Sequence, residues 1–125
     1  MKEITRHIPL LKSWLALTVV IAGLVACSTP SSRRDEPPEI SFSVERPALD
    51  VTRCIVDAWE ELWRGGPITM RETDAGYEIF YHDRDAWGVL FLADVDAQGE
   101  LSIVSYYDQW FLRREKIREG LLECR

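Results

Sequence analysis

Thirteen consecutive residues, Trp14 to Ala26, carry no charge, and they decide how much of this 125-residue chain is left to fold. Lys2, Arg6 and Lys12 precede the run, and small residues close it. As a helix rising about 1.5 Å per residue it would extend roughly 20 Å, short of the roughly 30 Å hydrocarbon core of a bilayer. A basic front, a short apolar stretch and a small-residue end have the form of a secretory signal peptide over residues 1–26. A short membrane anchor or a buried helix is the alternative. The rest of the chain is enough for one domain and leaves no room for a cofactor domain beside a substrate domain. With 46% hydrophobic and 29% charged residues, the chain has the composition of a globular protein, not of a disordered one.

The run ends on a thiol. Leu24-Val25-Ala26-Cys27 resembles the lipobox of bacterial lipoproteins, a likeness that covers residues 1–28. It implies cleavage before Cys27, a diacylglycerol on the Cys27 thiol and a further acyl chain on the freed amine. Each buried CH₂ contributes about 0.8 kcal/mol, so several chains anchor a protein stably where one binds marginally. In that family's sorting rule an Asp after the cysteine retains the protein at the inner membrane. Ser28 therefore implies the outer membrane of a bacterium, at its periplasmic face. This covalent lipid is the one non-protein group expected, with no metal and no other cofactor. Residues 1–26 take three basic side chains and Glu3 with them. The other 99 residues then hold 12 basic and 20 acidic side chains, a balance of −8 against −6 for the whole chain. Such a balance opposes nucleic acid, which needs a basic face, and favours encounter with a basic protein.

Residues 27–39 read as a lipidated polar tether. From Ser28 to Glu39 there is no hydrophobic residue and there are three prolines, so this stretch has nothing to bury. Arg33-Arg34 is expected as a solvated charge pair, or as a contact to anionic headgroups. Residues 40–125 form a single domain. Pro47 and Asp50 suit the first turn of a helix, and Val51, Ile55, Ala58, Trp59 and Leu62 recur on one face. Gly65-Gly66-Pro67 stops it, which puts the helix at about 47–63. Ile68–Glu72 and Tyr77–Tyr81 flank the turn signal Thr73–Gly76, a register that sets Arg71 opposite Glu78 and Met70 opposite Ile79. Trp87–Val95 and Glu100–Tyr107 flank Asp96–Gly99, and Asp108–Cys124 reads as a second helix carrying Trp110, Ile117, Leu121 and Cys124 on one face. The expected fold is α+β: helix, four-stranded antiparallel sheet, helix. The alternation Ile40–Val44 is compatible with an extra edge strand.

With Cys27 taken by lipid, Cys54 and Cys124 remain. In an oxidising compartment two such thiols are expected to bridge, and the bridge sets both helices on one face of the sheet. The run Cys54-Ile55-Val56-Asp57-Ala58-Trp59-Glu60, the pair Tyr106-Tyr107 and the terminal helix closing on Cys124 also resemble small proteobacterial lipoproteins with one disulfide and no assigned activity. That likeness implies the fold and the bridge and transfers no site.

Candidate chemistry is sparse. After Cys27 the one histidine is His82, and His82, Asp83 and Asp85 could serve a small hydrolase or a metal-dependent enzyme. No second His or Cys stands nearby to complete a tetrahedral metal site, and no Gly-x-Ser-x-Gly mounts a nucleophile. Asp94–Glu100 has the opening of a calcium loop but carries Gln98 at the fifth position and Ser105 at the twelfth. Glu60-Glu61 are neighbours on a helix and point apart, unlike the facing carboxylates of a glycosidase. The sheet supplies the more specific expectation. If Gly99 makes a three-residue bulged hairpin, Leu92 falls opposite Val104 and Leu90 opposite Tyr106, on the face away from the helices. Leu90, Leu92, Val104 and Tyr106 would then form a surface for a protein partner or for self-association, unless a loop or Ile40–Val44 covers them. The expected function is a membrane-anchored envelope lipoprotein acting without catalysis as a small acidic protein-binding module: inhibitor, immunity protein or adaptor. The envelope enzyme and a structural spacer are the alternatives.

Overall fold

The computed structural model describes residues 29–83, 88–108 and 114–125. Cys27, Asp85 and Trp110 lie outside the described residues. The elements are α1 (Pro30–Arg33), β1 (Ile40–Val44), α2 (Ala48–Leu62), β2 (Thr69–Glu72), β3 (Gly76–Asp83), β4 (Gly88–Gln98), β5 (Leu101–Asp108) and α3 (Glu115–Leu122). The class is α+β. The sheet has five strands, not four, in the order β1-β5-β4-β3-β2, with every pair antiparallel. The added strand is Ile40–Val44, which pairs with β5 and places Ile40 and Phe42 beside Tyr106 and Val104.

α2 starts behind Pro47 with Asp50 in its first turn. Its stripe of Val51, Ile55 and Trp59 is wholly buried, which stabilises the domain by roughly 1.5–3 kcal/mol per side chain. Trp59 meets Phe91 edge-on at 4.9 Å and Tyr106 at 6.0 Å, and its Nε1 donates to the Ile117 carbonyl at 3.0 Å. One indole thus joins α2, two strands and α3. Ile117, Leu121 and Cys124 enter the same core as Phe91, Ala93, Val95, Val104 and Tyr106, so both helices lie on one side of the sheet. Cys54 and Cys124 are bridged, with Cα atoms 5.9 Å apart across 70 positions of sequence. The second helix is shorter than expected, because β5 runs on to Asp108 and α3 begins only at Glu115. No helix among the described residues is long and apolar enough to cross a membrane.

The β2–β3 register is the expected one, with Met70 opposite Ile79 and Arg71 opposite Glu78. The β4–β5 register is not. Gln98 pairs with Leu101 around a two-residue turn, and Gly99 adopts φ +65° at its first central position, where glycine is free to do so. Asp96, Ala97 and Gln98 are the end of the strand, not the loop. The pairing is displaced by an odd number of residues from the bulged hairpin, which turns β5 over: Val104 faces Val95 and Tyr106 faces Ala93. A bulge between Tyr81 and His82 adds a second correction. Phe91 pairs with Tyr81 but Val89 with His82, so Leu90 joins the helix-side core while Val89 goes to the other face. The expected surface of Leu90, Leu92, Val104 and Tyr106 therefore does not exist. Three of the four belong to the helix-side core, and Leu92 is wholly buried on the outer face beside Phe80 and Val89.

Candidate functional site

The outer face of the sheet changes character along β4. Leu92, Asp94 and Asp96 alternate onto it, and the ladder sets Leu92 between Phe80 and Tyr107, and Asp94 between Glu78 and Ser105. Phe80, Val89 and Leu92 form a small buried cluster at one end, with Tyr107 half-buried against it. Beyond them three carboxylates, Glu78, Asp94 and Asp96, stand on adjoining positions of the two central strands. Like charges directly opposite destabilise a sheet, so Glu78 facing Asp94 requires compensation.

Two guanidinium groups supply it. Arg34 arrives from the N-terminal segment: its Nε and Nη2 donate to the two Asp94 carboxylate oxygens at 2.7 and 2.6 Å, and Nη2 also pairs with Glu78. Arg71, across the β2–β3 ladder, donates through Nε to Glu78 at 2.6 Å. The fork of Arg34 is the bidentate geometry that binds a carboxylate most strongly. Arg33-Arg34 is thus not the solvated pair expected of a tether, and the segment around it is not wholly extended. Thr29 and Ser32 cap one another's backbone N–H groups and close a single turn, and Arg33 Nε donates to the Val89 carbonyl at 2.8 Å.

These contacts set the charge states. Burial pushes the Glu78 carboxyl up, but the bonds from Arg34 and Arg71 outweigh it and hold the group below the usual range. Asp96 goes the other way: burial and the neighbouring Asp94 raise it, and Arg34 offsets them only in part. The Arg34 guanidinium is raised above its ordinary value, chiefly by its bond to Asp94. Burial, then Asp94, raises the Tyr107 phenol at the rim.

The other candidates disperse. His82 is exposed at the end of β3 with Asp83 half-buried beside it, and both line a cleft of about 380 Å³ together with Gly65, Gly66, Thr69 and Tyr81. Among the described residues no group of three or more His, Cys, Asp or Glu is placed to hold a metal ion. Asp94 and Asp96 lie along a strand and not in a loop, and Glu60 and Glu61 are exposed on α2. One polar network has no signal in the sequence. Tyr106 donates to Asp108 at 2.9 Å, and Arg118 stands 4.0 Å from Asp108 and 2.5 Å from Glu39. Burial, then Asp108, holds the Tyr106 phenol well above its usual value, so it stays a hydrogen-bond donor. This network ties Glu39, the residue before β1, to α3, and α3 to β5. Compared with known protein families, with curated proteins and with solved structures, the chain matches none.

Proposed function

We propose that this chain is a membrane-anchored envelope lipoprotein, held at the outer membrane through lipid on Cys27. Its stapled domain acts without catalysis as a small acidic module that binds a basic protein, in the manner of an inhibitor, an immunity protein or an adaptor. The observation that carries the reading is the outer sheet face, where Glu78, Asp94 and Asp96 are gathered and the first two hold a guanidinium between them. A fixed charge pattern on a sheet face suits a protein surface, and complementary charge gives encounter rate and selectivity more than raw affinity. The lipobox and the pairing of the other two cysteines support an envelope address.

The test is a photo-reactive residue at Ser105, in the full chain in cells. A discrete protein adduct that disappears in Asp96→Lys, with the melting temperature kept, supports the reading. An adduct pattern indifferent to Asp96→Lys overturns it. Loss of the same adduct in His82→Ala with Asp83→Ala would move the interaction to the cleft instead.

A further inference from the structure

The segment Thr29–Arg34 is attached to the domain mainly by polar contacts. α1 has no buried residue. Among the described residues, Arg33 on the Val89 carbonyl and Arg34 on Asp94 and Glu78 hold it to the sheet. The reciprocal cap of Thr29 and Ser32 makes a preformed unit that presents both arginines. Residues 35–39, all exposed and including Pro37-Pro38, connect this unit to β1. The carboxylates it grips are immobile by comparison, because β3 and β4 are paired on both sides. The exposures differ in the same sense: the Arg34 side chain keeps 32% of its surface in contact with solvent and Glu78 only 7%. A guanidinium on the solvent side of a fixed acidic seat is positioned to exchange. Its departure leaves Glu78 still paired with Arg71.

We infer that Thr29–Arg34 is a displaceable strap, in which Arg34 fills the seat between Asp94 and Glu78 that an arginine of a partner protein takes on binding. This rests on the reading of the acidic face as a receptor for a basic protein, and it adds the ligand group and the regulation. Arginine fits because the seat offers two carboxylates to one planar donor fork, whereas a lysine ammonium is a point charge without that fork. The strap lowers apparent affinity by the fraction of time it is closed. If closed about nine-tenths of the time, it weakens binding about tenfold. It thereby restricts the face to partners that bring enough additional contact. With Cys27 seven positions before Arg34, release also lengthens the tether, which then runs from Cys27 to Pro38 and reaches roughly 40 Å when extended.

The probe is a fluorescent peptide, Gly-Arg-Gly-Arg-Gly, titrated at low salt into the full-length chain, with the lysine peptide of the same length as control. The Arg34→Gln variant is expected to bind it about tenfold more tightly than wild type. In wild type, saturating peptide should speed amide hydrogen exchange in residues 30–36. Equal or weaker binding by Arg34→Gln, or unchanged exchange in that segment, overturns the strap. If Asp94→Lys has lost the peptide in the same experiment, the receptor reading survives that failure. Absence of binding to wild type and Arg34→Gln alike overturns both. Equal affinity for the lysine peptide overturns the assignment of a guanidinium as the ligand.

Discussion

Replacing Cys54 and Cys124 together by alanine should cost this domain about 4 kcal/mol. The bridge joins positions 70 apart, and the loop-closure entropy for that length corresponds to about 4 kcal/mol at 25 °C. Its local setting explains why the full loss is expected. α3 has eight residues, too few to hold a helix in water, so its order depends on what it touches. Those contacts are the buried side chains Ile117 and Leu121 and the Trp59 bond to the Ile117 carbonyl, all facing the helix to which Cys54 belongs. Domains of this size are stable by about 5–15 kcal/mol, so the loss takes a large share. It should lower the melting temperature on the order of 20 °C, at roughly 4–8 °C per kcal/mol for a domain of 60–100 residues. Urea unfolding of wild type and the double variant, followed by tryptophan fluorescence, measures the difference. The variant should also show a steeper denaturant dependence, because its unfolded chain is no longer cross-linked and exposes more surface. A loss below about 1 kcal/mol, with unchanged slope, would refute the reasoning, since the packing of α3 would then stand without the closure of the loop.

Four further outcomes are expected. Glu78 is held below its ordinary value, so it contributes stability above about pH 4.5 that is lost as pH falls through its lowered value; Asp96 is raised and contributes the opposite sign. Urea midpoints between pH 3 and 7 should therefore show a smaller acid loss in Arg34→Gln than in wild type, and Asp96→Asn should be the more stable protein at pH 7; a flat difference in either case contradicts the network of Arg34, Arg71, Asp94 and Tyr107 around them. Tyr106→Phe removes the donor to buried Asp108 and should cost about 1–3 kcal/mol by the same measurement, whereas an unchanged midpoint would mean the hydroxyl is dispensable. A clickable palmitate analogue fed to cells should label wild type and not Cys27→Ala, and equal labelling would end the lipoprotein assignment.

The elements legible in the sequence are those whose signals are local. The stripe Val51, Ile55, Trp59 and the stop at Gly65-Gly66 place α2 within a residue or two, and Thr73–Gly76 sets the β2–β3 register through its turn. The bridge is legible once Cys27 is set aside, because two thiols permit one pairing. The candidate site is not legible, and the reason is the period of a strand. Closing the hairpin as a bulged three-residue loop, with Leu92 opposite Val104, instead of as the two-residue turn after Gln98 moves the β4–β5 pairing by an odd number of residues, and that exchanges the faces of β5 as a whole. The bulge at Leu90 does the same locally, and no residue type announces it. Arg34 escapes notice for another cause. Its partners Asp94 and Glu78 lie 60 and 44 positions away, and a polar segment rich in proline gives no sign that it folds back.

The acidic seat is hard to account for by stability alone. Glu78 is 5% exposed on a central strand, directly opposite another carboxylate, and it is tolerated only because two arginines reach it. Buried ionic groups of this kind are commonly matched or surpassed in stability by apolar residues of similar volume. The same face offers the apolar solution two positions away, where Phe80 and Leu92 pair without any charge to neutralise. A sheet selected only to persist could extend that cluster across Glu78 and Asp94. Keeping carboxylates there, with the chain's own Arg34 to cover them, is what the proposed receptor face requires: a seat that is satisfied when empty of partner, and that gives up its internal ligand when one arrives.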